Sequence, residues 1–277
     1  METIKQLINS VEILPPAPSL LSKLLLAIND IDANFDEIVN FIEVDPSLTA
    51  KLLQICNSAF FGSDEPLIDV RDAVNRIGYQ SIYLLVSMIK GSETFRLQPG
   101  CQKDAGRLWK HSVTTAFSSQ FVAASAGQDT GVAFTAGLLH DIGKVVFFKT
   151  RPENYRFLLR KAADAETSPY EFEISNYGFS HAELGAALLD QWKLPPTLGE
   201  SIKFHHTPHE AGLLEKNADC LYLGNVLAHG PEYRDGTRLP LFISSQAVLN
   251  LTRHDIDHCN DQIKENWHKV EQMCFLT

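Results

Sequence analysis

Apolar residues recur at three- and four-residue spacing along most of this chain, while strand patterns are almost absent. That periodicity commits a chain to amphipathic helices, each burying one stripe. The expected fold class is therefore all-α. Leu20, Leu21, Leu24, Leu25 and Ile28 mark a helix after the Leu14-Pro15-Pro16-Ala17-Pro18 loop. Asn34-Phe35-Asp36-Glu37 resembles a capping box, and Asp45-Pro46 offers an N-cap followed by proline at the first helical position. The helix after Asp45 is expected to reach about Ser58, with Gly62 closing the segment. Two more helices, Val70 to Ile77 and Ser81 to Lys90, break at Gly78.

The polar stretch from Leu97 to Gly106 holds Pro99 and Gly100, which places a lobe boundary near residue 100. The expected division is an N-terminal helical lobe over 1–100 and a helical core over 101–277. Beyond the boundary, helices are expected from about Asp104 to Ala126, from Val132 to Leu139 and over Lys144 to Lys149. Pro152 to Ala163 and Pro169 to Tyr177 follow. Ser180-His181-Ala182-Glu183 is a capping box that puts His181 in the first turn of a helix ending near Trp192. Pro195-Pro196 breaks the chain before a helix through Ile202 to His205, and Glu215 to His229 and Arg253 to Phe275 supply the last two.

Composition excludes several function classes. A net charge of −10 over 277 residues, with no basic run, argues against nucleic acid and against an anionic membrane. No stretch approaches 18 consecutive apolar residues, and Met1-Glu2-Thr3-Ile4-Lys5 lacks a signal-peptide pattern. Five scattered cysteines, never spaced C-x-x-C, fit free buried thiols in a reducing compartment. The expected location is cytoplasmic.

The chemistry concentrates in Leu138-Leu139-His140-Asp141-Ile142-Gly143-Lys144, which sets an imidazole, a carboxylate and an ammonium within five residues at a helix end. A His and an Asp there can turn toward one cation or one phosphate if other segments add donors. His111, His181 and the pair His205-His206 are the candidates, spread over separate helices as a bundle site requires. Each has a plainer reading. Asp141 can cap a helix and pair with Lys144, and a first-turn His181 is readily exposed. Only one of two adjacent helical residues such as His205 and His206 usually faces inward. His254 and His258 lie one turn apart but lack an intervening Glu and read as surface. His209, His229 and His268 carry no functional claim.

Trp109-Lys110-His111-Ser112 and Ala136-Gly137-Leu138-Leu139-His140-Asp141-Ile142-Gly143-Lys144 resemble the HD superfamily of metal-dependent phosphohydrolases. Further motifs resemble its HDOD branch, an output domain of bacterial signalling proteins. These are Leu14 to Pro18, Asp45-Pro46-Ser47-Leu48-Thr49, Cys56 to Gly62, and Ala73-Val74-Asn75-Arg76-Ile77-Gly78. Gly178 to Gly185, Trp192-Lys193-Leu194-Pro195 and His205-His206-Thr207-Pro208 complete the likeness, which runs over about 5–230. It implies an HD-domain-like helical bundle with an additional N-terminal helical lobe.

The resemblance makes His111, His140 and Asp141 metal ligands, with His181, His205 and His206 as further ligands. The family's last ligand, an Asp on a later helix, falls here on Asn225, while Asp219 is two helical turns earlier. The Gly-Tyr-Pro signature of the branch that degrades cyclic dinucleotides is replaced by Thr207-Pro208-His209-Glu210. Five neutral imidazoles and one carboxylate offset only one of the four positive charges that two divalent ions bring. One ion of Fe, Mn or Zn is therefore expected if metal is held at all. The expected function is a signal-transduction module that contacts other signalling proteins, its metal site partly retained or degenerate. The alternative is an active phosphohydrolase on a nucleotide or other phosphoester, with Asp141 and Lys144 in the chemistry.

Overall fold

The computed structural model describes residues 3–10, 35–57, 67–229 and 239–276. Every regular element among them is helical. The helix expected at Ser19 to Ile28, the cap at Asn34 and the stop at Gly62 lie outside the described residues.

The N-terminal helices are α1 (Ile4–Asn9), α2 (Phe35–Glu43), α3 (Pro46–Cys56), α4 (Val70–Ile77) and α5 (Tyr79–Thr94). Asp45 caps α3 as its sequence implies, accepting from the Ser47 and Leu48 backbone amides at 3.1 Å each. Lys90 of α5 reaches the other oxygen of Asp45 at 2.6 Å. Gly78, at φ +83, makes the break between α4 and α5 that an L-residue would resist.

The second half holds α6 (Gln102–Ser125), α7 (Thr130–Leu139), α8 (Ile142–Thr150), α9 (Pro152–Asp164), α10 (Pro169–Tyr177), α11 (His181–Gln191), α12 (Pro196–Lys203) and α13 (Glu215–His229). Last come α14 (Leu239–Val248) and α15 (Arg253–Leu276). Helix α14 is a departure from the sequence expectation. Its Leu239-Pro240-Leu241-Phe242-Ile243 start is apolar on nearly every position and carries proline, so no amphipathic period marks it.

Helix α6 is the central strut, packed against α7, α13 and α15. Its buried face includes a run of small side chains, most of them hydroxylated: Ser112, Thr115, Ala116, Ser118 and Ser119. Small side chains let neighbouring backbones approach closely. At Gly224 of α13, a β-carbon would sit 2.6 Å from the Ser119 Cα. That approach brings the next residue, Asn225, over α6 near His111.

A single apolar core joins α3, α4 and α5 to α6, α7, α8 and α11. The hydroxyls of Tyr83 on α5 and Thr135 on α7 are hydrogen-bonded across that join. A second cluster, around Val122, Leu223, Val226 and Phe242, fastens α13, α14 and α15 to the far end of α6. The run from Thr130 to Thr150 is long and apolar enough to cross a membrane by composition. Here it is the buried centre of the bundle, bent at His140-Asp141 between α7 and α8.

Candidate metal centre

The six predicted donors converge, although they come from four places in the fold. His111 lies on α6, and His140 and Asp141 form the junction of α7 and α8. His181 is the first residue of α11, and its neighbour Ser180 makes the expected capping box with Glu183. Asn225 lies mid-way along α13, only 5% exposed.

The pair His205-His206 departs from expectation. Helix α12 stops at Lys203, so both residues lie in the turn beyond it rather than on adjacent helical positions. Freed from helical spacing, both rings face the centre, their centroids 4.0 Å apart. Asp141 also departs from its plainer reading. It occupies the N-cap position of α8 yet makes no capping bond, and its carboxylate turns inward. The pairing with Lys144 is present, at 2.9 Å to Oδ2.

Asp141 stands between two groups of imidazoles. Its Oδ2 is 3.5 Å from His140 Nε2 and 3.9 Å from His111 Nε2. Its Oδ1 is 3.3 Å from His181 Nε2, which in turn is 3.1 Å from His206 Nε2. The donor atoms of His111, His140 and Asp141 all lie within 4.8 Å of one another, and so do those of His181, His205 and His206.

Hydrogen bonds on the far side of each ring decide what these rings present. His140 Nδ1 donates to the Gly137 carbonyl at 2.8 Å, and His205 Nδ1 donates to the Ile202 carbonyl at 2.6 Å. His181 Nδ1 donates to Glu173 Oε2 at 2.6 Å. With the proton fixed on Nδ1, each Nε2 turns a lone pair inward. His140 Nε2, His205 Nε2 and Asp141 Oδ1 are buried without any hydrogen-bond partner in the protein. Buried acceptors aimed at one another are costly unless something positive joins them.

The electrostatics agree. Burial pushes His111 down to about 3, helped by the neighbouring His140, with the nearby Asp141 and Asn225 opposing. Burial likewise takes His140 to about 4, and burial with crowding by the other rings holds His205 and His206 well below the usual imidazole range. These rings are neutral at physiological pH, the state a cation needs. Burial opposes ionisation of Asp141, but His140, Lys144, His181 and His111 together hold it well below the ordinary carboxylate range. Neutral imidazole nitrogens and one carboxylate at these separations fit a divalent transition metal, whose ligands on a tetrahedral ion lie roughly 3.3 Å apart.

Sequence reading missed two contributors. Glu173 on α10 is fully buried and accepts from three donors: the His181 ring, the His181 backbone amide at 2.6 Å, and the Tyr155 hydroxyl at 2.6 Å. His229, exposed one turn beyond Asn225, sets its ring 4.3 Å from that of His111. An acid on a mostly exposed helix reads as solvent-facing, so nothing local flagged Glu173. The i, i+4 spacing of Asn225 and His229 was the available signal for the second.

A family model for the HDOD domain matches residues 14–208, well over half of the chain. The chain belongs to the HDOD family. A protein of Treponema pallidum (strain Nichols), described as uncharacterized, is 30% identical over 202 residues, 72% of this chain and 39% of that protein. Ribonuclease Y of Campylobacter curvus (strain 525.92) is 29% identical over 144 residues, 52% of this chain and 22% of that enzyme. This HDOD chain thus spans well under half the length of the curated relatives it matches.

Among solved structures, a candidate phosphohydrolase from Shewanella amazonensis SB2B superposes with TM-score 0.75 at 23% identity, covering 98% of this chain and 97% of that one. A candidate signal transduction protein from Marinobacter aquaeolei VT8 gives 0.79 at 22%, covering 98% and 61%. An HDOD domain protein of unknown function from Geobacter sulfurreducens gives 0.75 at 21%, covering 98% and 95%. At these identities the likeness establishes the HD-type helical fold.

Proposed function

We propose that this HDOD chain is a bacterial signal-transduction output module, working through contacts with other signalling proteins, whose HD scaffold keeps a divalent-metal centre. The residues that would hold the cation are drawn from His111, His140, Asp141, His181, His205 and His206. Asn225 carries the reading. It stands where the superfamily has a charged ligand, and its amide is buried beside His111. An amide can offer an oxygen to a cation but no charge. The HD pair is further discharged by Lys144 on Asp141 Oδ2. A centre so short of negative charge suits an ordering role better than activation of water.

A second reading, hydrolysis of a nucleotide or other phosphoester, is favoured by one observation. The converging Nε2 atoms of His140, His181 and His205 keep the tautomers that ligation needs. Bound metal would supply Lewis-acid polarisation of a phosphoryl oxygen. Lys144, 19% exposed, could then neutralise phosphate charge at the edge of the site. The Ribonuclease Y likeness puts an RNA phosphodiester among the substrates to test.

Elemental analysis of untagged protein, then a panel of nucleotides, phosphomonoesters and short RNA on metal-loaded sample, separates the readings. The module reading expects metal without turnover, and partner binding that survives Asp141→Ala. Turnover abolished by Asp141→Ala would establish the enzyme instead.

A further inference from the structure

The two oxygens of Asp141 are not equivalent. Oδ2 is engaged by the Lys144 ammonium at 2.9 Å, whereas Oδ1 has no hydrogen-bond donor and lies 3.3 Å from His181 Nε2. The side of the centre that Oδ2 faces holds His140 and His111 at 3.5 and 3.9 Å, an uncharged Asn225 and a positive Lys144. The side that Oδ1 faces holds three imidazoles, two of them with Nε2 atoms 3.1 Å apart.

Charge is also distributed unequally. Behind His181 stands Glu173, a second buried carboxylate, bonded to the ring proton at 2.6 Å. A carboxylate on the far nitrogen of a ligating imidazole fixes its tautomer and raises its basicity. Glu173 is itself held by the His181 backbone amide and the Tyr155 hydroxyl, so it supports the ring from behind.

Resting on the metal-binding reading above, we infer that the first cation this chain takes sits on the His181–His205–His206 side, bound through Asp141 Oδ1. Glu173 supplies, through His181, the charge that Asn225 withholds from the HD pair. The motif that names the superfamily is then the secondary half of this centre. Three imidazoles and one carboxylate oxygen form a nitrogen-rich set, which selects borderline metals such as Zn(II) or Co(II) over Mg(II).

The test is titration of chelator-treated full-length protein with Co(II) and Zn(II), followed by the visible bands of the Co(II) form and by elemental stoichiometry. X-ray absorption of the Zn(II) form counts its imidazoles. Wild type is expected to take a single tight equivalent with three imidazoles. His111→Gln should keep it and His206→Gln should lose it. Glu173→Gln should weaken it about 10- to 100-fold, the usual scale for removing an outer-shell carboxylate. That variant is nearly isosteric, since the Tyr155 hydroxyl can turn to accept from the new amide, so it tests the charge even if His206→Gln does not fold. Asn225→Asp should add a second equivalent. Loss of the tight ion in His111→Gln with retention in His206→Gln, or two imidazoles in the absorption spectrum, would overturn this placement and leave a metal centre in being. A wild type that takes no metal would overturn both readings.

Discussion

Gly143, two residues beyond Asp141, is where the site meets the backbone of α11 most closely. A β-carbon there would lie 2.0 Å from the His181 carbonyl oxygen and 2.8 and 2.9 Å from its C and Cα. A carbon–oxygen contact relaxes near 3.3 Å, so Gly143→Ala asks the start of α11 to retreat by roughly 1.3 Å. The clash is with main chain, which has no rotamer to escape into. Overpacking of this kind costs roughly 1–3 kcal/mol, and the upper end applies because α8 and α11 are both in the core. For a chain of this size about 3 kcal/mol lowers Tm by roughly 6–12 °C. The retreat also draws His181 Nε2 away from Asp141 Oδ1, so metal affinity should fall with stability. Urea unfolding and Zn(II) titration of the variant check both. Gly106→Ala is the control: it lies within α6, nothing stands within 4 Å of its β-carbon, and it should stabilise by about 1 kcal/mol. A Gly143→Ala protein as stable as wild type, with unchanged metal affinity, would refute the packing account.

Acid should destabilise the metal-free protein through its buried histidines, with Asp219, raised by burial to about 6, offsetting a smaller part. His111 and His140 have folded-state values near 3 and 4, below the ordinary imidazole value near 6.5. The unfolded chain therefore takes up protons that the native state refuses. Their contribution is complete above pH 6.5 and is lost as pH falls toward the folded values, by roughly 2 kcal/mol for each ring at pH 5. Urea midpoints in chelator at pH 7 and pH 5 measure this, and equal midpoints would contradict it. Lys144→Gln removes the ammonium from a buried carboxylate, which should destabilise metal-free protein by about 3 kcal/mol. Because it also frees Asp141 Oδ2, added Zn(II) should recover much of that loss, as thermal melts with and without metal would show. Tyr155→Phe takes one donor from Glu173 while keeping the ring stacked on Phe147 at 4.8 Å. A loss of about 1–3 kcal/mol in urea unfolding, with helical content unchanged by circular dichroism, is expected.

Helices with two-sided character were legible because their signals are local. The Asp45 cap, the Ser180–Glu183 box and the stop at Gly78 each act within four residues, and each stands where its residues imply. The donors were legible as motifs, but their roles were not. Whether His206 faces inward depends on α12 ending at Lys203 rather than at His205, a difference of half a turn. Glu173 is the clearest case of what sequence withholds. It is the one buried residue on α10, and it is buried because α11 begins directly over it. The chain presents it as Tyr-Glu-Phe-Glu-Ile, where Glu171 and Glu173 are indistinguishable. Only tertiary packing makes one a solvated acid and the other the counter-charge of a histidine.

Burial bears on what a cation here would accomplish. His140, Asp141, His181 and His205 are each 1% exposed or less, while His111, Lys144 and His206 reach the edge. A cation on the His181 side would sit where α8, α11 and the turn after α12 meet. Because its ligands come together only in the folded chain, binding adds its free energy to that arrangement, about 4 kcal/mol at a thousandfold excess over Kd. Helix α1 packs on both α8 and α11, so a change in their spacing reaches the N-terminal surface without any bond being broken in a substrate. Coupling of that kind is what the proposed output role would require of a centre to which Asn225 brings no charge.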